Sequence, residues 1–210
     1  KYGHVDPEAL REIISENTAL VSVMHGNNEI GTIQDIKTLA ALTHSVGALF
    51  HSDIVQTFGK IPMDLVDLDV DLASLTAHKM YGPKGVGAFY MRKSQAVHLA
   101  PILHGGGQER GCRSGTLNVP GIVAFGTAAH LAHEEFGAGH LDDLQLLRDR
   151  LWQGLQENIS GIRMNGHPEQ RVPGNLNIRI DGIDAPALML SMQNVAVSGG
   201  SACDSHDNAP

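Results

Sequence analysis

The chain, 210 residues long, reads as an α/β protein with a mostly parallel sheet. Three observations predict this. Short apolar runs alternate with stretches of helical spacing about ten residues long, the rhythm of βαβ units. Polar and glycine-rich stretches follow the apolar runs instead of interrupting them. From Val119 onward the texture changes to longer Ala- and Leu-rich helical segments and one weakly alternating strand, which predicts a smaller α+β part beyond the main sheet.

The elements follow in order. Asp6-Pro7 ahead of Glu8-Ala-Leu-Arg-Glu-Ile-Ile is a helix start, with an Asp cap and Pro at the first helical position. Ala19–Met24 is a strand that runs into the turn-rich loop His25-Gly-Asn-Asn-Glu-Ile-Gly31. Ile36, Leu39, Ala40 and Thr43 share a helix face, and Gly47 ends that helix. Ala48–Ser52 is the second strand, with Asp53 at its tip, Leu72–Leu75 the third, and Val86–Met91 the fourth. Pro120 opens a helix that reaches His133, and Leu141–Trp152 carries apolar residues at 141, 144, 147 and 151. Leu176–Ile180 alternates like a half-exposed strand, and Ala187–Met192 is a short helix. The expected division is residues 1–135 as the larger domain, 136–160 as a connecting helix and 161–210 as the start of a smaller domain.

A net charge of −8 argues against nucleic acid as a partner. No apolar run approaches the roughly 20 residues that span a bilayer, so no membrane is expected. Cys112 and Cys203 lie far apart with no CxxC, a pattern that suits reduced thiols in the cytoplasm. The chain begins with Lys1 and ends in polar, loop-like residues, so it is expected to be an excerpt of a longer polypeptide.

Four polar clusters follow predicted strands: Asn28, Asp53 with Gln56, Thr76 with His78 and Lys79, and Gly105–Thr116. Such clusters at the ends of parallel strands are expected to converge on one crevice. Lys79, just past the third strand, has three open roles: a surface charge, a phosphate binder, or an amine for Schiff-base chemistry. Asp53 is open to two, a helix cap or a partner for a cationic ring nitrogen. A lysine amine with an aspartate on a pyridinium nitrogen is the protein side of pyridoxal phosphate chemistry. In that reading Asn28 and Gln56 bond the ring hydroxyl, and Thr76 and His78 hold the phosphate.

The loop Gly105–Thr116 offers backbone flexibility, guanidiniums and hydroxyls suited to an anion. His104-Gly-Gly-Gly107 also matches an esterase oxyanion loop, but the chain has no G-x-S-x-G to go with it. His130 and His133 share a helix face without a third ligand in a recognised spacing, which weighs against a metal. His140, His167 and His206 read as surface residues. Cys203 sits among small residues that cannot pack a core; an exposed thiol there is either accidental or a nucleophile. Cys112, between Arg110 and Arg113, is open to activation or to a filler role in the glycine loop.

Together, His25-Gly-Asn-Asn-Glu-Ile-Gly31, Asp53-Ile-Val-Gln56, Thr76-Ala-His-Lys-Met-Tyr-Gly-Pro-Lys-Gly85, His104-Gly-Gly-Gly-Gln-Glu-Arg-Gly-Cys-Arg-Ser-Gly-Thr116 and Gly200-Ser-Ala-Cys203 resemble the cysteine desulfurases of the iron–sulfur-cluster type. These belong to the class-V aminotransferases, enzymes with the aspartate-aminotransferase-like PLP-transferase fold. The resemblance runs from residue 2 to 210. It implies pyridoxal 5'-phosphate as cofactor, L-cysteine as substrate, a homodimer, and a sulfur-acceptor or scaffold protein as partner. It also implies that Lys79 binds the cofactor aldehyde, that Asp53 faces the ring nitrogen and that Asn28 and Gln56 bond the ring hydroxyl. Thr76, where the family usually has Ser, and His78 contact the phosphate. Thr116 reaches the cofactor phosphate of the neighbouring subunit. Lys79, His78 and Cys203 are the catalytic candidates, with Cys203 taking the sulfur as a persulfide and L-alanine leaving. No resident metal is implied, a transient iron–sulfur cluster on Cys203 excepted.

Two readings stand beside this one: a selenocysteine lyase or other aminotransferase-like PLP enzyme, and a non-catalytic scaffold-binding module. There are departures. Gly199 replaces a Ser common in the family, which implies a looser loop. An N-terminal Thr-containing phosphate loop with a ring-stacking His, and a C-terminal Arg for the substrate carboxylate, lie outside residues 1–210.

Overall fold

The computed structural model describes residues 1–93, 97 and 99–200. Helix α1 (Pro7–Ile13) starts where Asp6 accepts the Glu8 N–H at 2.9 Å, as the Asp-Pro pair predicts. Strand β1 (Leu20–Met24), helix α2 (Ile36–His44), and strands β2 (Leu49–Asp53), β3 (Leu72–Thr76) and β4 (Gly87–Met91) follow. They form one sheet in the order β1-β2-β3-β4. Pairs β1–β2 and β2–β3 are parallel, and β4 returns antiparallel to β3, with Leu72 opposite Met91 and Thr76 opposite Gly87.

Helices α1 and α2 cover one face of this sheet. The core there holds Leu10, Ile36, Leu39, Phe50, Ile54 and Ala73, with Phe50 fully buried. The other face is open. It presents Leu20, Met24, Phe89 and Met91, all exposed, and between them a polar row crosses the strands. Ser22 Oγ lies 2.7 Å from His51 Nδ1, and His51 Nε2 lies 2.9 Å from Ser74 Oγ. Burial holds the His51 imidazole below its usual pKa, against a smaller opposing pull from Asp53. At the far end of the strands, His44 bonds Asp69 at 2.9 Å and Asp71 at 2.7 Å, and Arg92 donates to Asp69 at 2.6 Å.

Helix α3 (Val119–Ala138) begins with Asn118 accepting the Gly121 N–H, and runs further than the sequence predicts. Gly139, left-handed at φ 78°, breaks it from α4 (His140–Asn158). On α3, His130 pairs with Glu134 at 3.3 Å. Beyond α4 come β5 (Ile162–Met164), β6 (Ile178–Ile180) and α5 (Ala185–Ser191); β5 and β6 pair antiparallel. Strand β5 is not anticipated by the sequence, because three residues are too few to show a period.

The β5–β6 connection docks on the loop that follows β1. Arg171, 3% exposed, donates to the carbonyl oxygens of Ile30, His167 and Asn175 at 3.0–3.1 Å. Val172 N–H donates to Gly31 O, and Asn175 Nδ2 to Glu29 O. Burial, then repulsion from Arg148, lowers the Arg171 pKa. His167, expected at the surface, is half-buried and stacks on His4 with ring centroids 4.9 Å apart. Among the described residues no helix is long and apolar enough to cross a membrane.

Candidate active site

The parallel strands β1, β2 and β3 end side by side, and each is followed by a tight, anchored turn. After β1, His25 N–H donates to Asp53 O and Gln34 N–H returns to His25 O, so the loop folds back on the sheet end. Gly26 is required here: a Cβ would run into Thr57 and Val172. His25 is buried, with Nδ1 3.1 Å from Thr57 Oγ1, and desolvation lowers its pKa from 6.5 to about 4. The ring is therefore neutral at pH 7. Asn27 Oδ1 accepts the N–H groups of Glu29 and Ile30, both at 2.9 Å, which fixes the turn that carries Asn28.

Strand β2 ends at the exposed Asp53, whose Oδ1 accepts the Val55 N–H at 2.9 Å. The turn that follows is pinned by Ile54 N–H on Ser74 O and Phe58 N–H on Ile54 O. It places Gln56 and Lys60 one helical turn apart, with Lys60 Nζ donating to Gln56 Oε1 at 3.2 Å.

Strand β3 ends at Thr76 and passes into the 3₁₀ turn Ala77–Lys79, which the fully buried Ala77 anchors. Met80 and Gly82 both donate to Ala77 O at 3.0 Å, so the turn is closed twice over. This leaves His78 and Lys79 exposed. Thr76 Oγ1 and His78 Nδ1 are 2.8 Å apart, a hydroxyl–imidazole pair at the strand tip.

Asn28, Gln56, Lys60 and Lys79 line one cavity of about 1050 Å³, whose far wall is the apolar side of α3, including Val123 and Leu131. Of the expected site residues, Asn28, Gln56 and Lys79 thus share a cavity, while Asp53 and the Thr76–His78 pair lie at the neighbouring strand ends. No residue of the fourth cluster, Gly105–Thr116, lines this cavity. Strand β4 runs antiparallel to β3, and Thr116 sits in an exposed loop ahead of α3, three residues before Val119, which does line the cavity. Cys112 is exposed in that loop. Cys203 lies outside the described residues, as does His206.

Sequence reasoning missed Lys60 as a neighbour of the site; its spacing of four from Gln56 was the available signal. It also missed the buried His25 and the row from Ser22 to Ser74. Single histidines in or after strands carry no signature.

Residues 1–208 match the family described as Aminotransferase class-V. A cysteine desulfurase IscS of Anaeromyxobacter sp. (strain Fw109-5) is 51% identical over 210 residues, covering 100% of this chain and 52% of that protein. A cysteine desulfurase IscS of Rickettsia bellii (strain OSU 85-389) is 45% identical, covering 99% of this chain and 50% of that protein. The chain therefore spans about half the length of the curated relatives it matches. Among solved structures, a NifS-like protein from Rickettsia africae ESF-5 superposes with a TM-score of 0.86 at 33% identity, over 95% of this chain and 56% of that one. SspA in complex with cysteine gives 0.79 at 32%, over 100% and 57%. The fold is the α/β PLP-transferase fold of these neighbours.

Proposed function

We propose, since this chain belongs to the aminotransferase class-V family, that it is the cofactor-binding part of a pyridoxal-phosphate-dependent cysteine desulfurase. The observation that carries this reading is the meeting of Asn28, Gln56 and Lys79 in one cavity at the ends of three adjacent strands. The reaction is L-cysteine to L-alanine, with the sulfur left on Cys203.

The donor set suits pyridoxal phosphate. Lys79 has no ion-pair partner among the described residues, as suits an amine that serves a carbonyl. Asp53 is a carboxylate at an exposed strand tip, available to a protonated ring nitrogen. Asn28 and Gln56 bring amides for a ring hydroxyl, and the Thr76–His78 pair brings a hydroxyl and an imidazole for a phosphate. When bound, the cofactor supplies an aldehyde that holds the substrate amine and a ring that draws off electrons.

This chain's own residues do the rest. Lys79 Nζ would hold the cofactor through its aldehyde and give up that place to the amine of the substrate. Asp53 keeps its proton partner in place, and the neutral His25 supports the Asn28 turn without adding charge to the site. The Cys203 thiolate attacks the sulfur of L-cysteine; the substrate's Cβ–S bond breaks with its electron pair left on the carbon side, a proton takes the sulfur's place on Cβ to give L-alanine, and Cys203 keeps the sulfur as a persulfide. Thr116 completes the phosphate contacts of a neighbouring subunit in a homodimer. A scaffold or acceptor protein in the cytoplasm takes the sulfur for iron–sulfur cluster assembly. The division of residues 1–135, 136–160 and 161–210 into large domain, connector and small domain belongs to the same reading.

The test has two arms. Borohydride reduction in the presence of pyridoxal phosphate should add the cofactor mass to the Lys79 peptide. Cys203→Ser should abolish persulfide formation from L-cysteine. Unmodified Lys79 would sink the cofactor assignment, and persulfide formation that survives the Cys203 change would sink the desulfurase assignment.

A further inference from the structure

Lys60 has no part in the reading above, yet it lines the same cavity as Lys79 and is half-buried. Its Nζ donates to Gln56 Oε1 at 3.2 Å. An ammonium carries three donors and no acceptor, so only the oxygen end of an amide can face it. The contact therefore decides which way round the Gln56 amide sits. Its oxygen is committed to Lys60, and its NH₂ is left to donate.

We propose that Lys60 is a positioning residue: it locks Gln56 so that the amide presents a hydrogen-bond donor, not an acceptor, to the ring oxygen of bound pyridoxal phosphate. The site thereby selects the cofactor with that oxygen ionised. Without Lys60 the amide could turn over and set its own oxygen against the ring oxygen. Acceptor would then face acceptor.

The surroundings of Lys60 support a role of this kind. Burial, and next to it repulsion from the Lys79 ammonium, push the Lys60 pKa down. Among the described residues no salt bridge offsets that cost for Lys60. A charge kept where it is disfavoured and held to a single amide acts through that amide. Hydrogen bonds from a charged donor are roughly twice as strong as neutral ones, so the lock is worth holding.

The inference rests on the cofactor assignment, and the experiment separates the two. The holoenzyme is stripped of cofactor, and its affinity for pyridoxal phosphate is measured by equilibrium dialysis for the parent, Lys60→Met, Lys60→Arg, Gln56→Leu and the Lys60→Met/Gln56→Leu pair. Lys60→Met should weaken binding about ten-fold and Lys60→Arg, which keeps a charged donor, about three-fold or less. In the Gln56→Leu background, Lys60→Met should cost no more than about two-fold, because its partner has gone. Lys60→Ala runs through the same cycle if Lys60→Met does not fold. Unchanged affinity in Lys60→Met, or a full loss that persists beside Gln56→Leu, overturns the positioning role alone. A parent protein that forms no reduced adduct at Lys79 overturns the cofactor assignment and this inference with it.

Discussion

Replacing His25 with glutamine should flatten the acid sensitivity of the fold between pH 7 and pH 5. Burial lowers the pKa of this imidazole from 6.5 to about 4. The unfolded chain takes up a proton as the pH falls through 6.5, whereas the folded chain does so only near 4. In that window the unfolded state binds more protons, so stability drops as the pH drops. Each pKa unit corresponds to about 1.36 kcal/mol, which makes the full effect roughly 3 kcal/mol once the pH is below the folded value. Integrated from pH 7 to pH 5, the loss attributable to His25 is roughly 2 kcal/mol. Urea unfolding followed by circular dichroism, with m-values compared at both pH values, measures it directly. The parent protein should lose about 2 kcal/mol more than His25→Gln over this interval. Equal losses in the two proteins would show that His25 is not held neutral, and the argument from burial would fail.

Other outcomes follow from the packing. Phe50→Ala empties a fully buried position between the sheet and α2 and should cost about 3–5 kcal/mol in thermal or denaturant unfolding. Gly166 is left-handed at φ +81°, and a Cβ there meets the Ile30 carbonyl; Gly166→Ala should cost more than about 2 kcal/mol, seen as a lowered Tm. Arg171→Met leaves the Ile30, His167 and Asn175 carbonyls without their donor. It should speed amide hydrogen exchange in residues 29–34 by about ten-fold or more while leaving β2 and β3 protected.

Much of the fold was legible because its signals are local. Apolar runs closed by turn residues marked β1, β2 and β3, and Asp6-Pro7 marked the start of α1. The direction of β4 was also within reach. Residues 77–86 are fewer than the dozen or so that a parallel crossover takes, so the return had to be antiparallel. Lys79 was legible as a site residue because it stands just past a buried strand. Its sharing of a cavity with Asn28 and Gln56 was not, since that depends on how three separate turns fold back on one sheet edge. Arg171 gave no signal at all: its most distant contact, with Ile30, is 141 residues away.

The Arg171 docking has a consequence for which parts of the sequence are free to vary. Its long-range partner is a main-chain oxygen, at Ile30, as are its nearer partners at His167 and Asn175, and Val172 likewise bonds the main chain of Gly31. Every residue type carries the same carbonyl. The side chains at positions 30 and 167 can therefore change over time without unfastening this guanidinium from the loop that presents Asn28, whereas Asn175 also accepts from Arg171 through Oδ1 at 2.9 Å and donates to Glu29 O. The burden of identity falls on Arg171 itself, whose fork of donors no other side chain reproduces.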